Sequence, residues 1–227
     1  MFTNGEVLVV GLTSMKIGVC VGGIDLTNKC SVRLQPFQTG LHYSQQDNWE
    51  IGKFYQVEYF KPGGLPRPHT EDIRVVKWGL INSYRSTSIS DATKLVSCWS
   101  GPITQIFDGY MEWTASGAGY ISRNKVCDMS TGFWRPNRPL VRDRFGNFWA
   151  DGTSWNIEGR KFKLKCVALD QGDIPDIIPK NTLLRISLSR WYQPDNLPDG
   201  CWLQLSGLVS EPNMENHTTV PDADIPF

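Results

Sequence analysis

Apolar residues along this chain come in short runs that stop at glycine and proline. Val7–Val10 ends at Gly11, Lys16–Val21 ends at Gly22-Gly23, and Ser31–Leu34 follows. Phe54–Phe60 is rich in aromatic and β-branched side chains and closes on Pro62-Gly63-Gly64. Runs this short, bounded by turn formers, predict strands. Ile73–Trp78 reads either as a further strand or as a short helix capped by Asp72. Gly132–Trp134, Phe145–Trp149, Lys161–Val167, Leu183–Leu188 and Cys201–Ser206 repeat the pattern. Within them Phe162-Lys163-Leu164-Lys165-Cys166 alternates strictly, so Lys163 and Lys165 share one face of a sheet and the apolar residues fill the other.

Residues 82–98 break the rhythm with serine and threonine, and predict a polar connector leading into a short helix capped by Ser90 or Asp91. No heptad seam, long amphipathic helix or fixed repeat interrupts the strands. The expected fold is therefore mostly β with little helix. One small barrel is expected over residues 1–80 and a second over 117–210, joined by a connector at 81–116 and followed by an acidic tail at 211–227.

Composition narrows the classes. With 40% hydrophobic and 20% charged residues the chain is folded rather than disordered. It has no apolar run long enough to span a membrane and no signal-peptide pattern, so a cytoplasmic protein without a membrane partner is expected. Six dispersed cysteines without a Cys-x-x-Cys pair fit reduced, mostly buried thiols. The 23 basic and 23 acidic residues cancel, which removes any long-range positive field. Their distribution is uneven, however: residues 123–165 hold ten basic and four acidic side chains, and residues 166–227 hold three and nine. Nine tryptophans supply large rings for a core or a stacking surface.

Ile186-Ser187-Leu188-Ser189-Arg190-Trp191-Tyr192, Cys201-Trp202-Leu203-Gln204-Leu205-Ser206-Gly207 and Pro68-His69-Thr70-Glu71-Asp72 together resemble the bacterial family described as containing dual oligonucleotide/oligosaccharide-binding (OB) domains. The chain departs from that pattern at Tyr192, where the family has a second Trp, and at Leu208-Val209, where it has Trp-Tyr. The resemblance implies two tandem OB-like barrels. It also implies a role facing nucleic acid, beside bacterial genome-defence or mobile-element functions.

OB barrels hold single strands by lining a basic groove with aromatic rings that stack on bases. The stretch from Phe133 to Phe145 has that composition, with Arg135, Arg138, Arg142 and Arg144 interleaved with Trp134 and Phe145. Lys161, Lys163 and Lys165 extend the basic block, and Arg190 beside Trp191 offers a further planar cation. The expected assignment is phosphate contact for these basic residues and base stacking for Trp134 and Phe145. The competing expectation places Trp134 in the core and pairs the arginines with Asp143, Asp151 or the acidic C-terminal region. His69, Glu71 and Asp72 would serve a metal or acid–base chemistry only if other ligands converged on them; otherwise they shape a loop.

No nucleotide-binding, Gly-x-Ser-x-Gly or His-Glu-x-x-His signature occurs. The expectation is a non-catalytic, cofactor-free, metal-free nucleic-acid-binding accessory module. The alternative is an adaptor that docks a larger effector protein or a second copy of itself.

Overall fold

The computed structural model describes residues 1–15, 17–40, 42–44, 47–82, 87–150, 162–169 and 171–209. Five strands, β1 (Thr3–Ser14), β2 (Val19–Asp25), β3 (Cys30–Pro36), β4 (Phe54–Phe60) and β5 (Asp72–Leu80), close into a barrel in the order β1-β2-β3-β5-β4. Closure depends on the length of β1, which pairs with β4 through Thr3–Leu8 and with β2 through Val7–Ser14. A register shift between Val9 and Gly11 bends it between the two partners. β3 and β5 run parallel, the remaining pairs antiparallel. Val7, Val9, Val21, Val32, Leu34, Val57 and Ile73 fill the interior. Trp49 packs on Tyr55 and Trp78, with ring centroids 4.6 and 4.5 Å away. Ile73–Trp78 is thus strand, not helix, and Asp72 lies inside β5 rather than capping anything.

The expected short helix is α1 (Ile89–Ala92), but its cap is Ser88, whose hydroxyl accepts from the Asp91 N–H at 3.0 Å. A cap must precede the first turn to reach its N–H groups, and Ser90 and Asp91 lie within it. The connector continues into β6 (Cys98–Gly101) and β7 (Glu112–Trp113) before β8 (Gly119–Ser122). The remaining strands are β9 (Thr131–Pro136), β10 (Leu140–Arg142), β11 (Asn147–Ala150), β12 (Lys163–Cys166), β13 (Ile177–Ile178), β14 (Leu184–Leu188) and β15 (Gly200–Leu208).

β9 and β10 are consecutive strands separated at Asn137-Arg138-Pro139, so where the single strand β1 closes the first barrel, the second sheet curls into a half-barrel without closing. β10 pairs with β11 and β9 pairs with β14, so β10-β11-β12-β15-β14-β9 repeats the strand order of the first barrel. The parallel pair β12–β15 stands where β3–β5 stood. β6 joins parallel to β9, β8 joins β15 and β13 joins β10, so part of the connector is built into the second sheet. Trp134, Leu140, Phe148, Leu164, Ile186, Leu203 and Leu205 lie in its core.

The units meet face to face. Leu8, Val10 and Ile24 on the outside of the first barrel pack with Phe133, Leu183 and Val209 of the second in a separate apolar cluster. Gly11 and Gly22 allow this approach: a Cβ there would lie 2.7 and 1.9 Å from the Arg185 side chain. The outer face of β1–β2–β3 is therefore covered by β9–β14–β15. Among the described residues no helix is long and apolar enough to cross a membrane.

Candidate nucleic-acid interface and the inter-barrel clasp

In an OB barrel the outer face of the second and third strands, with the turn between the first and second, is where oligonucleotides and oligosaccharides bind. In the first barrel that face is β2–β3, which lies against the second barrel. In the second barrel it is β11–β12, and alternation there points Phe148, Ala150, Leu164 and Cys166 inward. Asn147, Trp149, Lys163 and Lys165 consequently share the outer face, with Trp149 opposite Lys163 and Asn147 opposite Lys165. The Lys163 ammonium lies 5.9 Å from the Trp149 ring.

The β10–β11 turn extends this face. Asp143 accepts the N–H groups of Phe145 and Asn147 at 2.8 and 2.9 Å and the Trp149 indole N–H at 2.9 Å, so one carboxylate sets both the turn and the ring. Burial pushes the Asp143 carboxyl up, but these hydrogen bonds outweigh it and hold the group below its ordinary range. Phe145 stands out from the turn, 75% exposed, with the Arg144 guanidinium 4.8 Å over its ring. Arg144, Phe145, Trp149, Lys163 and Lys165 thus form a surface of cations interleaved with rings.

Other expected contacts fall elsewhere. Trp134 is 1% exposed, with its indole N–H donated to the Gly101 carbonyl at 3.0 Å, so it fills the core and offers no face for stacking. Neighbours in a strand point to opposite faces, so Phe133 enters the apolar cluster between the units and Trp134 the core of the second. Arg142 lies against Phe148 and donates to the Gln171 and Ile174 carbonyls, with Asp176 3.4 Å away; it secures the segment before β13. Arg135 donates to the Asn181 carbonyl at 2.9 Å, and Arg138 is exposed at the β9–β10 break. Lys161, Asp151 and the tail at 211–227 lie outside the described residues. Trp149, which sequence reading passed over, had a usable signal: it stands two residues from Asn147 in a strand whose next partner alternates lysine and apolar residues.

Arg190 belongs to a different construction. Asp72, 2% exposed, accepts from Arg33 of β3 and from Arg190 of the second unit, each at 2.6 Å, and from Gln35 at 3.1 Å. Arg33 also donates to His69 Nδ1 at 2.7 Å; an arginine only donates, so the neutral imidazole carries its proton on Nε2, 3.6 Å from the Cys201 sulfur. Burial, then the charges of Arg33 and Arg190, push His69 down to about 2. Burial and the nearby Cys127 push the Cys201 thiol up to about 12. Glu71 accepts the N–H and hydroxyl of Ser130. Trp191 donates to the Arg67 carbonyl at 2.9 Å and stacks under Arg123 rather than Arg190.

His69, Glu71 and Asp72 therefore form a clasp between the barrels, each gripping a different group of the second unit or its nearest mediator. Among the described residues no group of three or more His, Cys, Asp or Glu is placed to hold a metal ion. The six cysteines are unpaired, with Cys127, Cys166 and Cys201 buried but Cys30 and Cys98 exposed, so fewer are buried than expected.

Two barrels of one strand order, packed through a polar clasp, define a tandem OB-barrel protein. The chain belongs to the dual OB-containing domain family, whose model matches residues 5–208. No curated protein matches it. Among solved structures it is similar to the p204 HINb domain, at 11% identity and a TM-score of 0.35 over 89% of this chain and 96% of that one. It is also similar to a structure described as "Structural mimicry for functional antagonism", at 15% identity and a TM-score of 0.32 over 90% of this chain and 89% of that one.

Proposed function

We propose that the protein is a non-catalytic nucleic-acid-binding accessory module, holding a single strand or a duplex end on the β11–β12 face of its second barrel. The observation that carries this reading is the difference between the barrels. The ligand face of the first is covered by the second, whereas the equivalent face of the second keeps Trp149, Lys163 and Lys165 at its surface with Arg144 and Phe145 at its edge. Cations track phosphates and rings stack on bases, a combination suited to single strands of varied sequence. A place in a bacterial genome-defence or mobile-element system, taken from the family resemblance, is part of the same proposal.

Fluorescence anisotropy with labelled single-stranded DNA, single-stranded RNA and duplex DNA tests it at low and physiological salt. Three cations on the face, Arg144, Lys163 and Lys165, correspond to a log–log salt slope of about −2 for a single strand. The Lys163→Glu/Lys165→Glu variant is expected to lose most binding and most of that slope. Folded wild-type protein that binds none of the three, or a variant that binds as well as wild type, overturns the reading.

A second reading, docking of a larger effector or a second copy, has one observation in its favour. Phe2 and Phe37 are both more than half exposed, and both pack edge-on against Phe60, at 6.1 and 5.7 Å, at the surface of the first barrel. Association through that cluster would persist in high salt and be lost in Phe2→Ser/Phe37→Ser.

A further inference from the structure

We propose that the cavity between the two barrels is a binding site for a terminal phosphate group, with Arg33, Arg185 and Arg190 as its anion-recognising side chains. The cavity measures about 260 Å³ and lies where the β2–β3 face of the first barrel is roofed by β14 and β15 of the second. It is thus a roofed remnant of the first barrel's own ligand face, separate from β11–β12, and the proposal stands independently of that surface.

Charge is the first argument. Arg33, Arg185 and Arg190 all line the cavity, and among the described residues no acidic side chain does. The nearest carboxylate, Asp72, is already shared by Arg33 and Arg190. Arg185 is 4% exposed, and its one side-chain partner among the described residues is the neutral hydroxyl of Ser206, at 2.9 Å. Three guanidinium groups therefore stand against Asp72 and, through space, Glu71, an excess of one positive charge. A phosphomonoester carries about −1.5 to −2 at neutral pH, enough to neutralise that excess. Burying a cation without a counterion is costly, so a site like this is complete only when an anion enters.

Unsatisfied polar groups are the second argument. His42 Nδ1, on the same lining, is buried without a hydrogen-bond partner among the described residues. Burial, and after it the charges of Arg190 and Arg33, lower the His42 imidazole, while Arg185 is lowered by burial, with Arg33 adding to it and Cys20 and Glu71 opposing it. Arg33 adds positive potential at both groups, and Glu71 opposes it at Arg185. Gln35, Ser187 and Gln204 add neutral polar groups to the lining. Guanidinium forks from three directions suit the several oxygens of a phosphate better than a single carboxylate.

Size and mouth agree. The volume lies just below the ~300–1,000 Å³ common for small-molecule sites, more than a bare phosphate needs. Tyr192, 53% exposed, stands at the rim, where its ring can cover whatever the phosphate is attached to. The ligand chemistry is a phosphate on a small organic group, and its source is either a free nucleotide or the phosphorylated end of a strand.

The test combines thermal unfolding with calorimetric titration of the full chain. The probes are inorganic phosphate, adenosine 5′-monophosphate, and a short oligonucleotide ending in either a 5′-phosphate or a 5′-hydroxyl. Phosphate and the nucleotide are expected to raise the melting temperature of wild type in a dose-dependent way. Arg185→Met is expected to weaken this response about tenfold or more, with a melting temperature in phosphate-free buffer unchanged or higher, because an unpaired buried charge is gone. Ser187→Glu, which places a carboxylate in the cavity, is expected to raise the melting temperature without phosphate and to abolish the response to it.

Preference for the 5′-phosphorylated strand, kept in Lys163→Glu/Lys165→Glu and lost in Arg185→Met, assigns the site to strand ends. Equal binding of phosphate and nucleotide without that preference assigns it to free phosphate compounds. Wild-type protein indifferent to every probe overturns the proposal, as does a response that survives both Arg185→Met and Ser187→Glu.

Discussion

Replacing Asp72 by asparagine keeps the shape of the clasp and removes its charge, which makes it the sharpest probe of how the barrels are joined. Two ion pairs at 2.6 Å and an amide hydrogen bond from Gln35 at 3.1 Å converge on this carboxylate. Removing one member of a buried pair costs about 3–5 kcal/mol, because the remaining charge stays buried and unpaired. The Arg33 side chain is 10% exposed and incurs that penalty, whereas Arg190 is 43% exposed and recovers water. The lower end, about 3 kcal/mol, is therefore expected. Against the ~5–15 kcal/mol that holds a folded protein together, this is a large fraction. Urea unfolding followed by tryptophan fluorescence reads it: at a slope of about 3 kcal/mol/M the midpoint falls by about 1 M. The Arg33→Met/Asp72→Asn double variant should regain much of the loss, since neither buried charge is then stranded. A midpoint shift corresponding to less than about 1 kcal/mol, or a double variant showing the plain sum of the single losses, refutes the account.

Two further outcomes follow from the same geometry. His69 sits near 2 in the folded chain and near 6.5 when unfolded, so below pH 6.5 only the unfolded state gains the proton. The stability of the neutral imidazole is fully present above pH 6.5 and is lost as pH falls toward 2, by about 3 kcal/mol at pH 4.5; His69→Gln should flatten that part of the urea-midpoint profile. Trp149→Ala should weaken single-strand binding by about 1–3 kcal/mol with little change in melting, whereas Trp134→Ala should cost about 3–5 kcal/mol of stability through the cavity it leaves, separable by measuring anisotropy and thermal unfolding on both variants.

Much of the fold was legible because strand patterning is local. Phe54–Phe60 and Cys201–Ser206 announce themselves by composition, and alternation alone set Lys163 and Lys165 on one face. Short strands were missed: Leu140–Arg142 and Ile177–Ile178 are too brief to show a period, and Cys98–Gly101 is held by its pairing with β9. The basic block at 123–165 was visible as composition, but composition treats neighbours alike. The structure separates them, sending Arg142 to carbonyls before β13, Trp134 to the core, and Arg144 and Phe145 to the surface.

The amino-acid sequence by itself determined a β-rich chain, two barrel-sized units, and which strand residues share a face, since these follow from side-chain size and a two-residue period. Tertiary structure alone decided which face stays open. Arg33, the pair His69 and Asp72, and the pair Arg185 and Arg190 come from three distant stretches of the chain, and nothing local distinguishes a surface arginine from a buried one. Their burial, pairing and excess charge arise only when β14 and β15 close over β2 and β3, because electrostatics depends on distance and on the exclusion of water, and both are properties of the packed molecule.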